Sequence, residues 1–290
     1  MNMTRVAFLG LGAMGFRMAA HLCVPDIELV VWNRSPEAAD ALLKAGARWA
    51  NTPAEAAEHA DVVVSMVRDD DASRQVWCDP DSGALSRMRS GALAIESSTL
   101  SVAWVAELAN TCSSAGVGLL DAPVSGSRPA AQSAQLVYLV GGEANDVATA
   151  TPLLQRMGSA VQHVGAVGSG TLAKLVTNAL LGVHVSVLAE LNGLLDGLSV
   201  GQNTDAARVL SAVAATPVWA PVDHFLSSVM QSGDDQPQFP VELIEKDFGY
   251  VVSANPQAEL PMLETAWQVF RRGIDAGLAS RNMTAVAKLY

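Results

Sequence analysis

Short runs of β-branched and aliphatic residues alternate with alanine-rich amphipathic stretches through the first half of the chain. The runs predict strands at 5–9, 28–32, 61–66, 92–96, 118–121, 135–140 and 160–163. Most of the intervening stretches are typical of helices, as at 36–45 and 102–114. Because a helix that links parallel strands must pack on their sheet, this alternation predicts a doubly wound, mostly parallel sheet with helices on both faces.

The strand signal ends after Gly170, and the rest of the chain has helical patterns only. Helices are predicted at 171–200, 204–215, 218–226, 241–253 and 261–273. Prolines at 217, 221, 237 and 240 are expected in the loops between them. The expected organisation is an α/β domain at 1–164, followed at 165–290 by a long connecting helix and an all-helical domain.

Composition narrows the classes of partner. Of the 290 residues, half are hydrophobic, and 29 acidic against 18 basic residues give a net charge of −11. Such a surface repels nucleic acid and anionic membranes, so neither is expected as a partner. Cys23, Cys78 and Cys112 have no metal-binding spacing and are expected to be free thiols in a reducing cytoplasm. The apolar run at 175–189 is too short and too polar to predict a transmembrane helix.

The sequence VAFLGLGAMG has the G-x-G-x-x-G spacing and lies between a predicted strand and a predicted helix. Glycines allow a tight turn there and let a pyrophosphate approach the backbone N–H groups at the start of the helix. The alternative is an ordinary glycine-rich turn, which this context disfavours. The expected dinucleotide-binding residues are Gly10, Leu11, Gly12, Ala13, Met14 and Gly15.

The end of the second strand indicates which dinucleotide is preferred. An NAD site usually has Asp or Glu at this point to hold the ribose 2′-hydroxyl, but this chain has Asn33, Arg34 and Ser35. A guanidinium can form two hydrogen bonds with a 2′-phosphate, and the amide and hydroxyl can donate as well. The sequence therefore predicts NADP(H), the alternative being a solvated loop arginine.

Two further strand ends are expected at the same edge of the sheet. Met66 and Val67 follow one strand, and Ser98 and Thr99 follow another. Ligands bind at the carboxyl ends of strands in open sheets, so Met66, Val67 and Thr99 are predicted to contact the cofactor. Core packing for the first pair, or a helix cap by Ser98 or Thr99, would explain the same residues.

Two more segments bear groups that a substrate could use. Ser125 and Gly126 follow a predicted strand and offer a hydroxyl and open N–H groups to a carboxylate, although a plain turn would have the same composition. Lys174 and Asn178 have i, i+4 spacing and share one helix face that is otherwise apolar. A buried unpaired ammonium is costly, so we expect Lys174 to face a ligand.

Six segments, GLGAMG, NRS, SST, DAPVSGS, GSGTLAKLVTN and EKDF, occur in one order along nearly the whole chain. In this order and spacing the chain resembles the β-hydroxyacid dehydrogenase family, which includes 3-hydroxyisobutyrate dehydrogenases, tartronate semialdehyde reductases and glyoxylate/succinic semialdehyde reductases. The resemblance implies a Rossmann domain, a long interdomain helix and a helical domain like that of 6-phosphogluconate dehydrogenase. In this family the helical domain commonly forms the oligomer interface, and the long apolar helix and apolar C-terminal half predict a homodimer or homotetramer.

The resemblance also implies the chemistry, which is hydride transfer between NADP(H) and a small carboxylate-bearing substrate. Lys174 matches the catalytic lysine, which would protonate the carbonyl oxygen during reduction and accept the hydroxyl proton during oxidation. Asn178 matches a residue that positions the substrate. Ser125 and Gly126 match the loop that binds the substrate carboxylate.

Three further positions acquire a role from the resemblance alone. Thr99 matches a threonine beside the nicotinamide. Lys246 and Asp247 match a pair that closes over the cleft, on the cofactor side and the substrate side respectively. From the residues alone, two adjacent opposite charges on a helix would indicate only an exposed surface.

The segment after the carboxylate loop departs from the family pattern. The chain has SGSRPAAQSAQL, with Ser127 and Arg128 where the family often has glycines, and Thr177 where it often has asparagine. The segment is more similar to the glyoxylate/succinic semialdehyde reductase branch, but it lacks the acidic residue and the glycine that this branch usually has before the leucine. These differences leave the substrate open. Two other functions also remain open: an imine reductase, which typically lacks the lysine, and a non-catalytic NADP-binding module.

Overall fold

The computed structural model describes residues 3–202 and 205–290. The chain divides into two compact units, Met1–Lys174 and Leu175–Tyr290. This division falls within a long helix, whereas the predicted boundary at 164/165 falls at the end of the last strand.

The first unit is built on one sheet that contains every strand predicted from the sequence. Its strands are β1 Thr4–Leu9, β2 Ile27–Trp32, β3 Arg48–Trp49, β4 Val62–Ser65, β5 Leu93–Glu96, β6 Gly118–Asp121, β7 Val124–Ser125, β8 Leu136–Gly141 and β9 Gly158–Gly165. Their order is β3-β2-β1-β4-β5-β6-β8-β7, and β9 also pairs with β8. Only the pairings of β8 with β6 and β7 are antiparallel, so the sheet is mostly parallel, as predicted.

Helices cover both faces of this sheet. They are α1 Gly15–Ala20, α2 Asp40–Lys44, α3 Pro53–Ala57, α4 Asp70–Cys78, α5 Val102–Ser114, α6 Arg128–Gln132 and α7 Ala144–Met157. In β1, Val6 and Phe8 belong to one apolar core, and Ala7 and Leu9 belong to the other. Since successive strand residues point to opposite faces, a strand covered on both sides is apolar throughout.

The start of α5 corrects one alternative raised by the sequence. Neither Ser98 nor Thr99 caps this helix. Ser101 is the N-cap residue, and its Oγ accepts a hydrogen bond of 3.1 Å from the backbone N–H of Trp104. The residues at 98 and 99 are therefore not needed as caps.

Helix α8, Ser169–Gln202, begins in the first unit and continues into the second, which is all-helical as predicted. The other helices are α9 Ala206–Ala214, α10 Pro221–Ser232, α11 Val241–Ala254 and α12 Pro261–Asp275, and a 3₁₀ helix spans Met283–Leu289. Their core includes Val185, Ile244, Phe248 and Phe270.

One helix prediction in the second unit has the wrong bounds, and another begins outside the described residues. The helix predicted at 218–226 is wrong in its bounds, because Pro221 lies in the first turn of α10 and the helix continues to Ser232. Proline is favoured in a first turn, where its missing N–H has no helical partner. The prediction for 204–215 begins at Thr204, which lies outside the described residues.

Helix α8 is also notable for its hydropathy. In the part of the chain that the structure describes, the segment Ser169–Ser199 is long and apolar enough to cross a bilayer, by length and composition only. Half of its most apolar window is buried inside the protein. Core helices of water-soluble proteins have the same properties. The absence of a membrane span therefore stays a prediction.

Candidate active site

The glycine-rich segment forms a tight turn after β1. Gly10 has φ +96°, which favours glycine, and a Cβ there would collide with the carbonyl oxygen of Met66. A Cβ at Gly15 would collide with the carbonyl oxygen of Gly10, whereas one at Gly12 would meet no atom within 4 Å. The turn thus packs closely against the end of β4 and leaves open space at Gly12.

This turn lies where the strand order reverses, since β1 pairs with β2 on one side and with β4 on the other. In open α/β sheets, ligands bind in the crevice at such a point. Among the described residues, no acceptor is paired with the backbone N–H groups of Gly12, Ala13 and Met14. Unpaired N–H groups next to open space fit the pyrophosphate of a dinucleotide.

Asn33 braces the turn from the end of β2. Its Oδ1 accepts a hydrogen bond of 2.9 Å from the backbone N–H of Leu11, and its Nδ2 donates to the carbonyl oxygen of Ser35 at 2.9 Å. One of the two N–H donors on Asn33 Nδ2 is thus used within the protein, and the contact of Asn33 with a 2′-phosphate stays a prediction. Arg34 is exposed, and its guanidinium has no partner among the residues described.

The ends of β4 and β5 are linked by hydrogen bonds. The backbone N–H of Val67 donates to Ser98 Oγ at 2.7 Å, and that of Met66 donates to the carbonyl oxygen of Leu9. Met66 and Val67 each pack against one of the two cores of the unit. They therefore have a packing role as well as a place at the predicted cofactor edge, and Thr99 follows Ser98 directly.

The sequence did not single out Glu96, a buried carboxylate at the end of β5. Its Oε1 accepts from the backbone N–H of Ser98 at 2.9 Å, and its Oε2 accepts from Ser73 Oγ at 2.6 Å and Trp77 Nε1 at 2.7 Å. Burial raises the pKa of this carboxyl, and these hydrogen bonds oppose the rise. Glu96 therefore holds the backbone of Ser98, whose Oγ receives the N–H of Val67.

Asp121, at the end of β6, holds the start of α8. Its Oδ1 accepts from the backbone N–H of Gly168 at 2.8 Å, and its Oδ2 accepts from that of Thr171 at 2.7 Å. The first N–H groups of a helix have no partner within the helix, so this fully buried carboxylate satisfies them. Burial raises the pKa of Asp121, and the bonds from Thr171 and Gly168 oppose the rise. Lys174 follows in the same end of α8.

The predicted carboxylate loop joins β7 to α6. Ser125 pairs with Val137 of β8, and its hydroxyl makes no hydrogen bond within the described ranges. Gly126 has φ +119°, and a Cβ there would lie 2.9 Å from the Cβ of Ala130. Glycine is therefore required for α6 to pack on this loop, and the Ser125 hydroxyl is available to a ligand.

In the second unit the structure brings together two residues that the sequence had treated separately. Asn178 and Asp247 are both 2% exposed, and Asn178 Nδ2 donates to Asp247 Oδ2 at 2.6 Å. Lys246 Nζ lies 2.8 Å from Asp247 Oδ1 and 4.4 Å from the ring centroid of Tyr250. The interpretation of residues 246 and 247 as a simple exposed pair is thus wrong for Asp247.

This hydrogen bond determines how the Asn178 amide is oriented. A carboxylate can only accept, so the Asn178 nitrogen must face Asp247. The Asn178 oxygen is then left to accept from a donor such as a hydroxyl. The orientation is a consequence of a residue 69 positions away in the sequence, which the i, i+4 spacing alone could not show.

Replacing Asp247 by asparagine is expected to lower the free energy of unfolding by about 1.5–3 kcal/mol, the usual contribution of a hydrogen bond to a charged group. Urea denaturation followed by circular dichroism measures the change. Glu264→Gln, which neutralises an exposed carboxylate on α12, is the matched control and should have little effect. Equal stability of the two variants would contradict the proposed importance of this bond.

The backbone N–H groups of the glycine turn and the Ser125 hydroxyl can bind anions, and Lys174 can exchange a proton. Among the residues described, no three His, Cys, Asp or Glu side chains are grouped so as to hold a metal ion. Lys174 lies one helical turn before Asn178 on α8. An ammonium donates a proton and a neutral amine accepts one, so this residue can act in either direction of a redox reaction at carbon.

Comparisons with known proteins agree with this geometry. Residues 5–165 match the family model of the NAD binding domain of 6-phosphogluconate dehydrogenase. Residues 168–290 match that of the NAD-binding domain of NADP-dependent 3-hydroxyisobutyrate dehydrogenase. Both descriptions are of nicotinamide-dependent dehydrogenases, so the cofactor is a nicotinamide dinucleotide.

Individual relatives match over almost the whole chain. The mitochondrial 3-hydroxyisobutyrate dehydrogenase of Rattus norvegicus is 32% identical over 98% of this chain and 86% of its own. The NAD-dependent L-serine dehydrogenase of Pseudomonas aeruginosa is 32% identical over 99% and 98%. The structure of Mycobacterium tuberculosis 3-hydroxyisobutyrate dehydrogenase with L-serine superposes with a TM-score of 0.88 at 29% identity, covering 99% of both chains. Taken with the glycine turn and the helical second unit, these matches show that the chain belongs to the β-hydroxyacid dehydrogenase family.

Proposed function

We propose that the protein is an NADP(H)-dependent oxidoreductase that transfers hydride between the nicotinamide and a small β-hydroxyacid or its aldehyde or keto acid. The substrate is of the 3-hydroxyisobutyrate, glyoxylate or semialdehyde type, and Lys174 is the general acid and base. The observation that carries this proposal is the position of Lys174, one turn before an Asn178 amide that Asp247 holds in a fixed orientation.

The first unit holds the cofactor. The exposed N–H groups at Gly12 and Ala13 bind the pyrophosphate, and Asn33 keeps the turn in shape. The Ser98 hydroxyl fixes Val67, and Thr99, which follows Ser98, would contact the nicotinamide. The bound nicotinamide supplies the hydride or accepts it, which leaves the protein to bind the substrate and move a proton.

Each substrate group has a residue assigned to it. The Ser125 hydroxyl and the N–H of Gly126 bind the carboxylate, and the Asn178 oxygen accepts a hydrogen bond from the substrate hydroxyl. In reduction the Lys174 ammonium protonates the carbonyl oxygen, and in oxidation the neutral amine takes the hydroxyl proton. The names of the relatives support this class, because 3-hydroxyisobutyrate and L-serine both carry a carboxylate and a β-hydroxyl.

Preference for NADP over NAD rests on Arg34, an exposed guanidinium at the end of β2 where NAD sites have an acid. Arg34→Asp is expected to raise the KM for NADPH roughly 10- to 100-fold, the equivalent of one charge-assisted hydrogen bond. The KM for NADH should change far less. Arg208→Asp, an exposed change on α9, is the control. Similar shifts in KM for NADPH and NADH would refute the role of Arg34 in cofactor preference. A wild-type enzyme that prefers NADH would refute it as well.

A substrate panel tests the reaction class. NADPH absorbance is followed with 3-hydroxyisobutyrate, L-serine, glyoxylate, succinic semialdehyde and a cyclic imine, in both directions. Turnover of one of the acids or aldehydes is expected. Reduction of the imine alone would favour an imine reductase. Tight NADPH binding without turnover of any compound would favour a non-catalytic module.

We further propose a cytoplasmic homodimer or homotetramer that binds neither nucleic acid nor membranes. A row of exposed apolar side chains on α8 supports association, and the net charge of −11 supports the exclusion of polyanions. The row in the second unit consists of Val176, Leu180, Val187, Leu191 and Leu194. Light scattering of the purified protein is expected to give the mass of a dimer or tetramer, and a monomer would contradict this.

A further inference from the structure

Arg128 is unusual among the basic residues of this acidic protein. Among the described residues, nearly every arginine side chain contacts a carboxylate, a carbonyl oxygen or an aromatic ring. The exceptions in that part of the chain are Arg34 and Arg128. Arg34 is exposed and is proposed to bind the cofactor, whereas Arg128 is partly buried and has no proposed role.

The structure holds Arg128 close to the carboxylate loop. It is the first residue of α6 and follows Gly126 by two positions, so their Cα atoms are at most about 7 Å apart. Helix α6 is fixed by the contact of Ala130 at Gly126 and by a 2.9 Å hydrogen bond between His21 Nε2 and the carbonyl oxygen of Ala131. Arg128 therefore starts from a rigid position beside the proposed substrate site.

An unpaired and partly buried guanidinium is unfavourable, because it loses hydration and gains no partner. With 29 acidic residues in the chain, a surface arginine readily finds a carboxylate. The neighbouring Ser127 makes no side-chain cap bond to α6. Arg128, Ser125 and Ser127 thus lie within four positions of one another, and none of their side chains has a partner among the described residues.

We propose that Arg128 is a specificity-determining residue that pairs with an anionic group of the substrate. This inference rests on the proposed function and deepens it. Ser125 and Gly126 offer only neutral donors, whereas Arg128 adds a charge-assisted pair that two parallel N–H donors can form with a carboxylate. The enzyme then selects substrates with an anionic group over their neutral analogues. The group is either the carboxylate bound at the loop or a second one.

The test compares three substrates that differ at one group each: 3-hydroxyisobutyrate, its carboxamide, and the analogue in which a second carboxylate replaces the methyl group. Arg128→Gln is expected to raise the KM for the acids roughly 10- to 100-fold, with kcat little changed and the carboxamide unaffected. The acid that loses more identifies the carboxylate that is recognised. Arg128→Lys keeps the charge and should restore part of the affinity, and circular dichroism should show an unchanged fold.

A binding measurement tests the role of Arg128 even if no acid is turned over and the proposed function itself fails. Calorimetry with acetate and with malonate, in the presence of NADP⁺, should show weaker carboxylate binding to Arg128→Gln than to the wild type. Equal binding by both proteins overturns the proposal. So does a variant that raises only the KM for NADPH, since Arg128 would then recognise a cofactor phosphate.

Discussion

Lys174→Ala is expected to lower kcat roughly 10²- to 10⁴-fold, the usual contribution of a positioned general acid or base. Its affinity for NADPH should not change, because most residues that we propose to hold the dinucleotide lie at the ends of β1, β2, β4 and β5. Steady-state kinetics and fluorescence titration with NADPH measure the two quantities separately. A loss confined to kcat means that the lysine acts in the chemical step rather than in cofactor binding.

Lys174→Arg is the more discriminating variant. Arginine retains the positive charge at this position, but its guanidinium does not release a proton in proteins. If Lys174 transfers a proton, the arginine variant should be nearly as impaired as the alanine variant. Lys44→Ala, an exposed change on α2, should be fully active. Full activity of Lys174→Arg would show that charge alone is sufficient and would exclude proton transfer by this side chain.

Asp121→Asn is expected to reduce both stability and turnover. Asparagine offers one acceptor oxygen where Asp121 offers two, so one of the N–H groups at Gly168 and Thr171 would lose its partner. An unsatisfied buried donor costs about 1–3 kcal/mol, which urea denaturation would report as a lower free energy of unfolding. Since Lys174 lies just after this turn of α8, kcat should fall while the KM for NADPH is unchanged.

A surface carboxylate provides the comparison for Asp121. Asp26 forms an exposed ion pair with Arg156, and such pairs contribute at most about 1 kcal/mol. Asp26→Asn should therefore have little effect on stability and none on kcat. If Asp121→Asn behaved in the same way, the carboxylate would not be what fixes the start of α8.

The pKa of Asp121 adds a pH dependence to this prediction. Burial raises the pKa above its usual 3.8, so the native protein retains the proton to a higher pH than the unfolded chain does. The contribution of Asp121 to stability is then largest below pH 3.8 and falls as the pH rises through the folded-state pKa. The stability difference between wild type and Asp121→Asn should accordingly be larger in acid than at neutral pH.

The sequence predicted the fold well because the signals for it are local. Short runs of β-branched and aliphatic residues identify the strands, and the glycine spacing identifies the dinucleotide turn. The strands β3 and β7 were missed, since two residues are too few to form a pattern. Pro221 was taken for a loop residue, although proline also suits the first turn of a helix.

The site was less accessible to sequence reasoning, because its support comes from distant contacts. Asp121 bonds residues 47 and 50 positions away, and Asn178 and Asp247 are 69 positions apart. The sequence did not predict a role for Glu96, because polar residues commonly follow the apolar part of a strand and nothing local shows that this one is buried. Its importance is visible only once Ser73, Trp77 and Ser98 converge on it.

The central claim is that hydride passes between a hydroxyacid carbon and the nicotinamide, while Lys174 donates or accepts the proton on the substrate oxygen. The most direct test incubates the enzyme with NADP⁺ and 3-hydroxyisobutyrate deuterated at the carbon that bears the hydroxyl, followed by mass spectrometry of the reduced cofactor. The wild type is predicted to give NADPH carrying the deuterium, and Lys174→Ala to give almost none over the same time. NADPH without the label, or equal labelling by the two proteins, would contradict the mechanism.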